Sequence, residues 1–156
     1  MIDRRTALTA LGALAFFPTA AAAAMTNDKV VLTDAQWKAK LSPDTFQIMR
    51  REGTEMPFSS PLDHEKRAGT YFCAGCALAL FSSKTKYDSG SGWPSFYAPL
   101  PNAVASKADN SMAEERNEIH CRRCEGHLGH VFDDGPPPTG KRYCMDGVAL
   151  RFKPGT

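Results

Sequence analysis

Four of the five cysteines in this chain come as two Cys-x-x-Cys pairs, Cys73–Cys76 in "CAGC" and Cys121–Cys124 in "CRRC", 44 residues apart. A two-residue spacer lets both thiolates of a pair reach one ion, and zinc takes four such ligands at tetrahedral corners. The pairs therefore read as one structural site for a single Zn²⁺, supplied by two distant hairpins. No other feature constrains the fold as much, because two remote turns must meet. Gly75 and Gly126 suit tight turns around the ion, and Arg122 and Arg123 are placed to offset its negative thiolate shell. The rival is disulfide or redox use of the pairs, since exported cysteines usually oxidise. A thioredoxin-like pair would open a helix in a βαβ setting, which neither pair has.

The rest of the chain fits that closure. Thr33 with Gln36 makes a capping box in "TDAQW". In "SPDTFQIMRREG", Ser42 is the cap, Pro43 the first helical residue and Gly53 the stop, with Phe46 and Met49 on one face. From Thr70 onward short β-type segments alternate with Gly, Pro, Asp and Ser: "TYFCAG", "ALALFSS", "SFYAPL", "AEERNEIHC", "HVF" and "RYCMDGVALRF". The class is mainly antiparallel β, a small sandwich or curled sheet with short N-terminal helices.

Residues 1–24 stand apart as an export signal, with Arg4 and Arg5 before an apolar run from Ala7 to Phe17 and then small residues. The run is shorter than the roughly 20 residues needed to span a bilayer, and no cysteine follows it to carry a lipid anchor. "DRRTALTAL" resembles a twin-arginine (Tat) signal, although Ala7 stands where a large apolar residue is usual; the general secretory route is the competitor. Tat export would carry the protein folded to a bacterial periplasm, its thiols already shielded by zinc. Nineteen Lys and Arg against 17 Asp and Glu leave a formal +2, too balanced for a surface that tracks nucleic-acid phosphates.

Cys144 is the odd thiol. On a strand, Arg142, Cys144 and Asp146 face one side, and a guanidinium beside a thiol favours the thiolate. "GHLGHVF" supplies His127 and His130, and "SGSGWPSF" supplies Trp93. A thiolate, proton-bearing imidazoles and an aromatic wall make a site for nucleophilic attack coupled to proton delivery. Singly, each has a plainer reading: a free cysteine is usually a small buried apolar residue, and a lone histidine usually a structural one.

Together, "GTYFCAGCALALFSSKTKYDSGSGWPSFY", "CRRCEGHLGHVFDDGPPPTGKRYCMDGVALRF" and "WKAKLSPDTFQIMRREGTEMPF" resemble the methionine-R-sulfoxide reductases, the MsrB family, from about Leu32 to Phe152. The resemblance makes residues 25–156 one reductase domain on a twisted two-sheet β fold. It implies reduction of the R epimer of methionine sulfoxide, free or within proteins. By similarity Cys144 is the catalytic cysteine, His127 and His130 handle the sulfoxide oxygen, and Trp93 walls the substrate methyl group. Arg142, Phe132 and Asp146 match other active-site positions, and Cys73, Cys76, Cys121 and Cys124 match the zinc ligands. Two departures stand out. Ser91 occupies the place where many members carry a resolving cysteine, and Asp146 the place where many carry asparagine.

The implied reaction has Cys144 attack the sulfoxide sulfur while a protonated His127 or His130 gives a proton to the oxygen. Methionine leaves and Cys144 becomes sulfenic acid, the reversible first rung of thiol oxidation. With four cysteines on zinc, a thioredoxin-like protein or a small thiol must restore Cys144. One structural zinc, no organic cofactor, no membrane anchor and a monomer complete the expectation. A zinc-clamped binding module is the alternative class; it requires no convergence of Cys144, Trp93, His127 and His130.

Overall fold

The structure, a computed structural model, describes residues 28–112 and 115–155. The export signal expected over residues 1–24 lies outside them. Helix α1 (Asp34–Lys40) opens with the expected box: Thr33 accepts from the Gln36 N–H, and the Gln36 side chain accepts from the Thr33 N–H at 2.8 Å. Helix α2 (Pro43–Arg51) starts at Ser42 and Pro43 as expected. It stops one residue earlier than Gly53, because Glu52 itself adopts the left-handed conformation, φ 54°. Trp37, Phe46, Ile48 and Met49 bury the apolar side of the helix pair against the body of the protein.

Among the described residues, nine strands form two antiparallel sheets. The smaller has the order β2 (Ala79–Ser82), β1 (Gly69–Cys73), β9 (Leu150–Pro154). The larger runs β3 (Lys86–Tyr87), β4 (Ser95–Phe96), β8 (Arg142–Met145), β7 (His127–Phe132), β6 (Arg116–Cys121), β5 (Val104–Asp109). "RYCMDGVALRF" is thus two strands in different sheets, joined by a 3₁₀ turn over Gly147–Ala149. Strand β5, "VASKAD", carries no large apolar residue after Val104, so its sequence gives little strand signal. It is an edge strand with exposed Lys107, the charge that discourages edge-to-edge pairing.

Aromatic rings join the sheets. Phe81 of β2 stacks on Phe96 of β4 at 4.4 Å, and Tyr71 of β1 meets Phe96 edge-on at 4.9 Å. The cysteine pairs make the second junction. Cys73 ends β1 and Cys76 lies in the turn to β2; Cys121 ends β6 and Cys124 lies in the turn to β7. One ion held by all four would tie a hairpin of each sheet to the other. Turn conformation is not why glycine stands at 75 and 126. The positive φ values fall on Ala77 (58°) and Glu125 (56°). At 126, a Cβ would come within 2.6 Å of the Met49 Cε, and at 75 within 3.3 Å, so space for the helix is the reason.

Candidate active site and metal clip

The four sulfurs of Cys73, Cys76, Cys121 and Cys124 all lie within 4.8 Å of one another, with Cys73–Cys124 at 3.6 Å and Cys76–Cys121 at 3.5 Å. Sulfurs about 2.3 Å from a tetrahedral zinc stand about 3.8 Å apart, so the set fits that ion. His127 lies elsewhere, bonded to Glu118. Arg122 and Arg123 flank the clip, and Arg122 is close enough for its charge to act on Cys121 and Cys76. Both guanidiniums engage Asp28, at 2.9 and 2.8 Å, and Arg123 also reaches the Cys76 carbonyl.

Cys144 sits mid-sheet. Direct partners across the strands form one row: Tyr87, Ser95, Cys144, His130, Glu118 and Lys107. Residues paired this way share a face, so one side of the larger sheet carries the reactive groups. Residues three apart on a regular strand face opposite ways, yet His127 joins His130 on this side. Leu128 is the extra residue of a bulge, since Ile119 pairs with Gly129 while His120 pairs with His127. That irregularity re-aims His127, whose ring centre lies 5.3 Å from that of His130. Gly129 is required there: at φ 144° its backbone runs so close to β8 that a Cβ would sit 2.1 Å from the Cys144 carbonyl oxygen.

Above this face opens a cavity of about 270 Å³, where Cys144, His130, Trp93, Phe132 and Asp146 meet with Arg116 and Met112. His127 stands behind the wall at 3% exposure, its Nδ1–H donating to the Glu118 carboxylate (2.8 Å) and its Nε2 3.7 Å from Asp146. Arg142 leaves the cavity too: it forms a two-pronged pair with Asp134 and lies 4.4 Å over the Phe132 ring. Convergence of Cys144, Trp93 and His130 is what a reaction site requires and a plain binding module does not.

Burial governs the charges. It pushes the Cys144 thiol above its usual range; the Ser91 hydroxyl, 3.6 Å from the sulfur, and Arg142 pull it down, and Asp146 pushes it up. Arg142 thus acts in the expected direction but is outweighed. His130 is held below the usual imidazole value by burial, against the hydrogen bond to Asp109 at 2.8 Å. That shift favours the neutral ring, which can take up a proton and pass it on. Asp146 neither pairs with Arg142 nor turns to solvent. It is 3% exposed and accepts from the Thr54 hydroxyl and the Glu55 N–H, both at 2.9 Å. Burial raises its carboxyl above the ordinary range.

Glu55 went unnoticed in the sequence. Its buried carboxylate accepts from the Gly147 N–H (2.6 Å) and Val148 N–H (3.1 Å), and its carbonyl accepts from the Trp93 indole N–H (3.3 Å). Its own N–H is the one bonded to Asp146, so a single residue holds the Trp93 wall and the turn after Cys144 together. Asp109 and Arg116, paired at 2.7 Å, likewise anchor His130 from β5 and β6. The one available signal was a charged residue between helix and strands in "GTEMPF".

A half-buried single thiol facing a small cavity, on a β fold whose four other thiols gather within reach of one metal ion, defines the class: a cysteine-bearing oxidoreductase with a four-cysteine clip. The SelR domain matches residues 41–154. "Peptide methionine sulfoxide reductase MsrB" of Pseudomonas putida (strain W619) is 53% identical over 127 residues, covering 81% of this chain and 96% of that protein. The Leptospira interrogans protein of that name is 52% identical, covering 81% and 98%, and the Methanosarcina barkeri one 48%, covering 83% and 92%. The chain belongs to the MsrB family of peptide methionine sulfoxide reductases. A solved structure, the Mis18 "Yippee-like" domain, superposes on 58% of this chain and 99% of its own at 16% identity and TM-score 0.45, too weak a likeness to bear on the fold.

Proposed function

We propose that the chain reduces the R epimer of methionine sulfoxide, free or within proteins, with Cys144 as nucleophile and a sulfenic acid as intermediate. The observation that carries this reading is the meeting of Cys144, His130, Trp93 and Phe132 around one cavity of about 270 Å³. Cys144 starts as a neutral thiol. With Nε2 of His130 donating to Asp109, the lone pair of the neutral ring lies on Nδ1, which takes the thiol proton as the sulfur attacks. That proton passes to the sulfoxide oxygen, the S–O bond to methionine breaks, and the oxygen stays on Cys144. Thiol plus sulfoxide gives sulfenic acid plus thioether, with no proton left over. Two equivalents of an external thiol then return Cys144 to the thiol and release water and a disulfide.

Trp93 and Phe132 place the methyl group, and Asp146 with His127 closes the polar back wall. Arg142 acts through the charge it sets beside the sulfur. The clip residues hold one structural zinc, which supplies the cross-link between the sheets and takes no part in the reaction. Residues 1–24 direct a monomeric enzyme to the periplasm by the Tat route, and exchanging Arg4 and Arg5 for lysines should leave it in the cytoplasm. The test of the reaction is turnover of the separated epimers with dithiothreitol. R-sulfoxide should be consumed and S-sulfoxide should not; equal rates on both would refute the pocket assignment.

A further inference from the structure

We propose that residues 56–58 form a docking platform for polypeptide substrates, seating an apolar side chain that flanks the methionine sulfoxide. The inference rests on the reading of the cavity given above and adds to it a preference among protein-bound sulfoxides. Among the described residues, four large apolar side chains lie open to water: Val31, Met56, Phe58 and Met112. Apolar residues exposed singly are ordinary, but a group of them beside a ligand cavity marks an interaction surface. Three of these four belong to the substrate cavity or to the chain that leaves it. Met112 lines the cavity, as do Glu52, Gly53 and Thr54. The chain then runs through buried Glu55 to exposed Met56, Pro57 and Phe58.

Phe58 stands there against two costs. Its ring faces water at 63% exposure, and its φ of 62° puts a bulky side chain in the left-handed region that favours glycine. A strained residue of this kind persists only where its surroundings fix it, and such outliers gather at ligand sites. Here the surroundings are the Trp93 loop. The Phe58 N–H donates to the Gly92 carbonyl at 2.7 Å, and the Trp93 indole N–H donates to the Glu55 carbonyl at 3.3 Å. Gly92 lets the two segments touch, since a Cβ there would sit 2.8 Å from the Phe58 nitrogen and 2.9 Å from its ring. Two hydrogen bonds thus latch the platform to the residue that walls the methyl group. The exposed apolar surface is continuous with the cavity.

An extended chain carrying the sulfoxide is the occupant this surface fits. In such a chain, residues two apart point the same way, roughly 7 Å along. With the sulfoxide in the cavity, a neighbouring side chain is therefore presented to the rim. Free methionine sulfoxide has no flanking side chain and gains nothing from the platform. A second copy of the protein is a poorer occupant, because three side chains offer far less than the roughly 800 Å² per partner of a stable dimer. A platform already held in place also loses little freedom when it binds.

The test compares kcat/KM, with saturating dithiothreitol, on free R-sulfoxide and on two peptides carrying the R epimer. One peptide has only glycines around the sulfoxide; the other has leucine two places away on either side. The unsubstituted enzyme should favour the leucine peptide by roughly three- to tenfold, through KM rather than kcat, as uniform binding requires. Phe58→Asn, which tolerates the left-handed backbone, should abolish that preference and leave turnover of free sulfoxide unchanged. Phe58→Gly should do the same. Val31→Ser, on the stretch bonded to Arg123 beside the clip, should leave the preference where it was. A leucine preference retained in both Phe58 variants would overturn the proposal, as would equal rates on the two peptides in the unsubstituted enzyme. So would a concentration-dependent dimer that Phe58→Asn dissolves, which would give the platform to a second copy. Failure to consume free R-sulfoxide at all would refute instead the reading on which the proposal rests.

Discussion

The five cysteines divide between two regions that treat the same side chain in opposite ways. In the clip, three cysteines are buried and Cys76 is half-buried, each sulfur has other sulfurs as neighbours, and helix side chains such as Met49 fill the space around them. At Cys144 the sulfur stands alone, with a hydroxyl at 3.6 Å and a cavity on one side. The clip sits where two hairpins from different sheets end; Cys144 sits in the middle of one sheet, one turn before the chain crosses to the other. Thiols packed together at a junction bear load, while a thiol beside open space is available to react. The role of a cysteine here follows from its neighbours.

Cutting each region separately should sharpen the contrast most. Cys144→Ser should lower turnover by roughly a thousandfold or more, with melting temperature and metal content unchanged. Cys121→Ser should do the reverse in kind: little bound metal and a melting temperature lower by roughly 10 °C or more, because metal binding supplies folding energy. Full metal occupancy and an unaltered melting curve in the second variant would erase the distinction. Within the reaction region, His130→Ala should cost roughly a hundredfold in kcat by removing the proton relay, and Trp93→Ala roughly tenfold by loosening orientation. Pre-steady-state kinetics on R-sulfoxide would measure both.

Smaller effects probe the seam between the regions. Glu55→Ala leaves the Gly147 and Val148 N–H groups without their acceptor, at a cost of about 1–3 kcal/mol in denaturant unfolding. The smallest change is at Asp146. Its carboxyl is raised above the ordinary 3.8 by burial, so its contribution to stability is present below that value and is lost as pH rises through the raised one. Asp146→Asn removes the loss. The variant should melt higher than its parent by a few degrees at pH 8, roughly, and less so at pH 4. Asparagine would also relieve the push of Asp146 on Cys144, lowering the thiol pKa; thiolate absorbance during titration would show it.

The parts legible in the sequence were those encoded locally. Both helix starts follow from Thr33, Ser42 and Pro43, and the clip from two fixed spacings. Cys144 stood out by exclusion once four thiols had a use. What the sequence concealed depends on pairings across many residues. The row from Tyr87 to Lys107 exists only once six strands have found their register. The bulge at Leu128 decides that His127 turns to the reactive face, and packing then sets it behind the wall. Asp146 read as a neighbour of Arg142 by strand alternation, but β8 ends at Met145 and the next residue turns inward to Thr54 and Glu55. Glu55 itself carries no local pattern; its meaning lies in contacts about 40 to 90 residues away.

The central claim is that one thiol reacts and four hold the fold. It is tested most directly by stopping the enzyme after one turnover. The protein, freed of reductant, is mixed with one equivalent of R-sulfoxide, and the intact chain and its peptides are weighed while bound zinc is counted. The account predicts one added oxygen on Cys144, trapped as a sulfenic acid adduct, with one zinc per chain and the other four thiols unmodified. A disulfide joining Cys144 to Cys73, Cys76, Cys121 or Cys124 in stoichiometric yield, with zinc released, would contradict it.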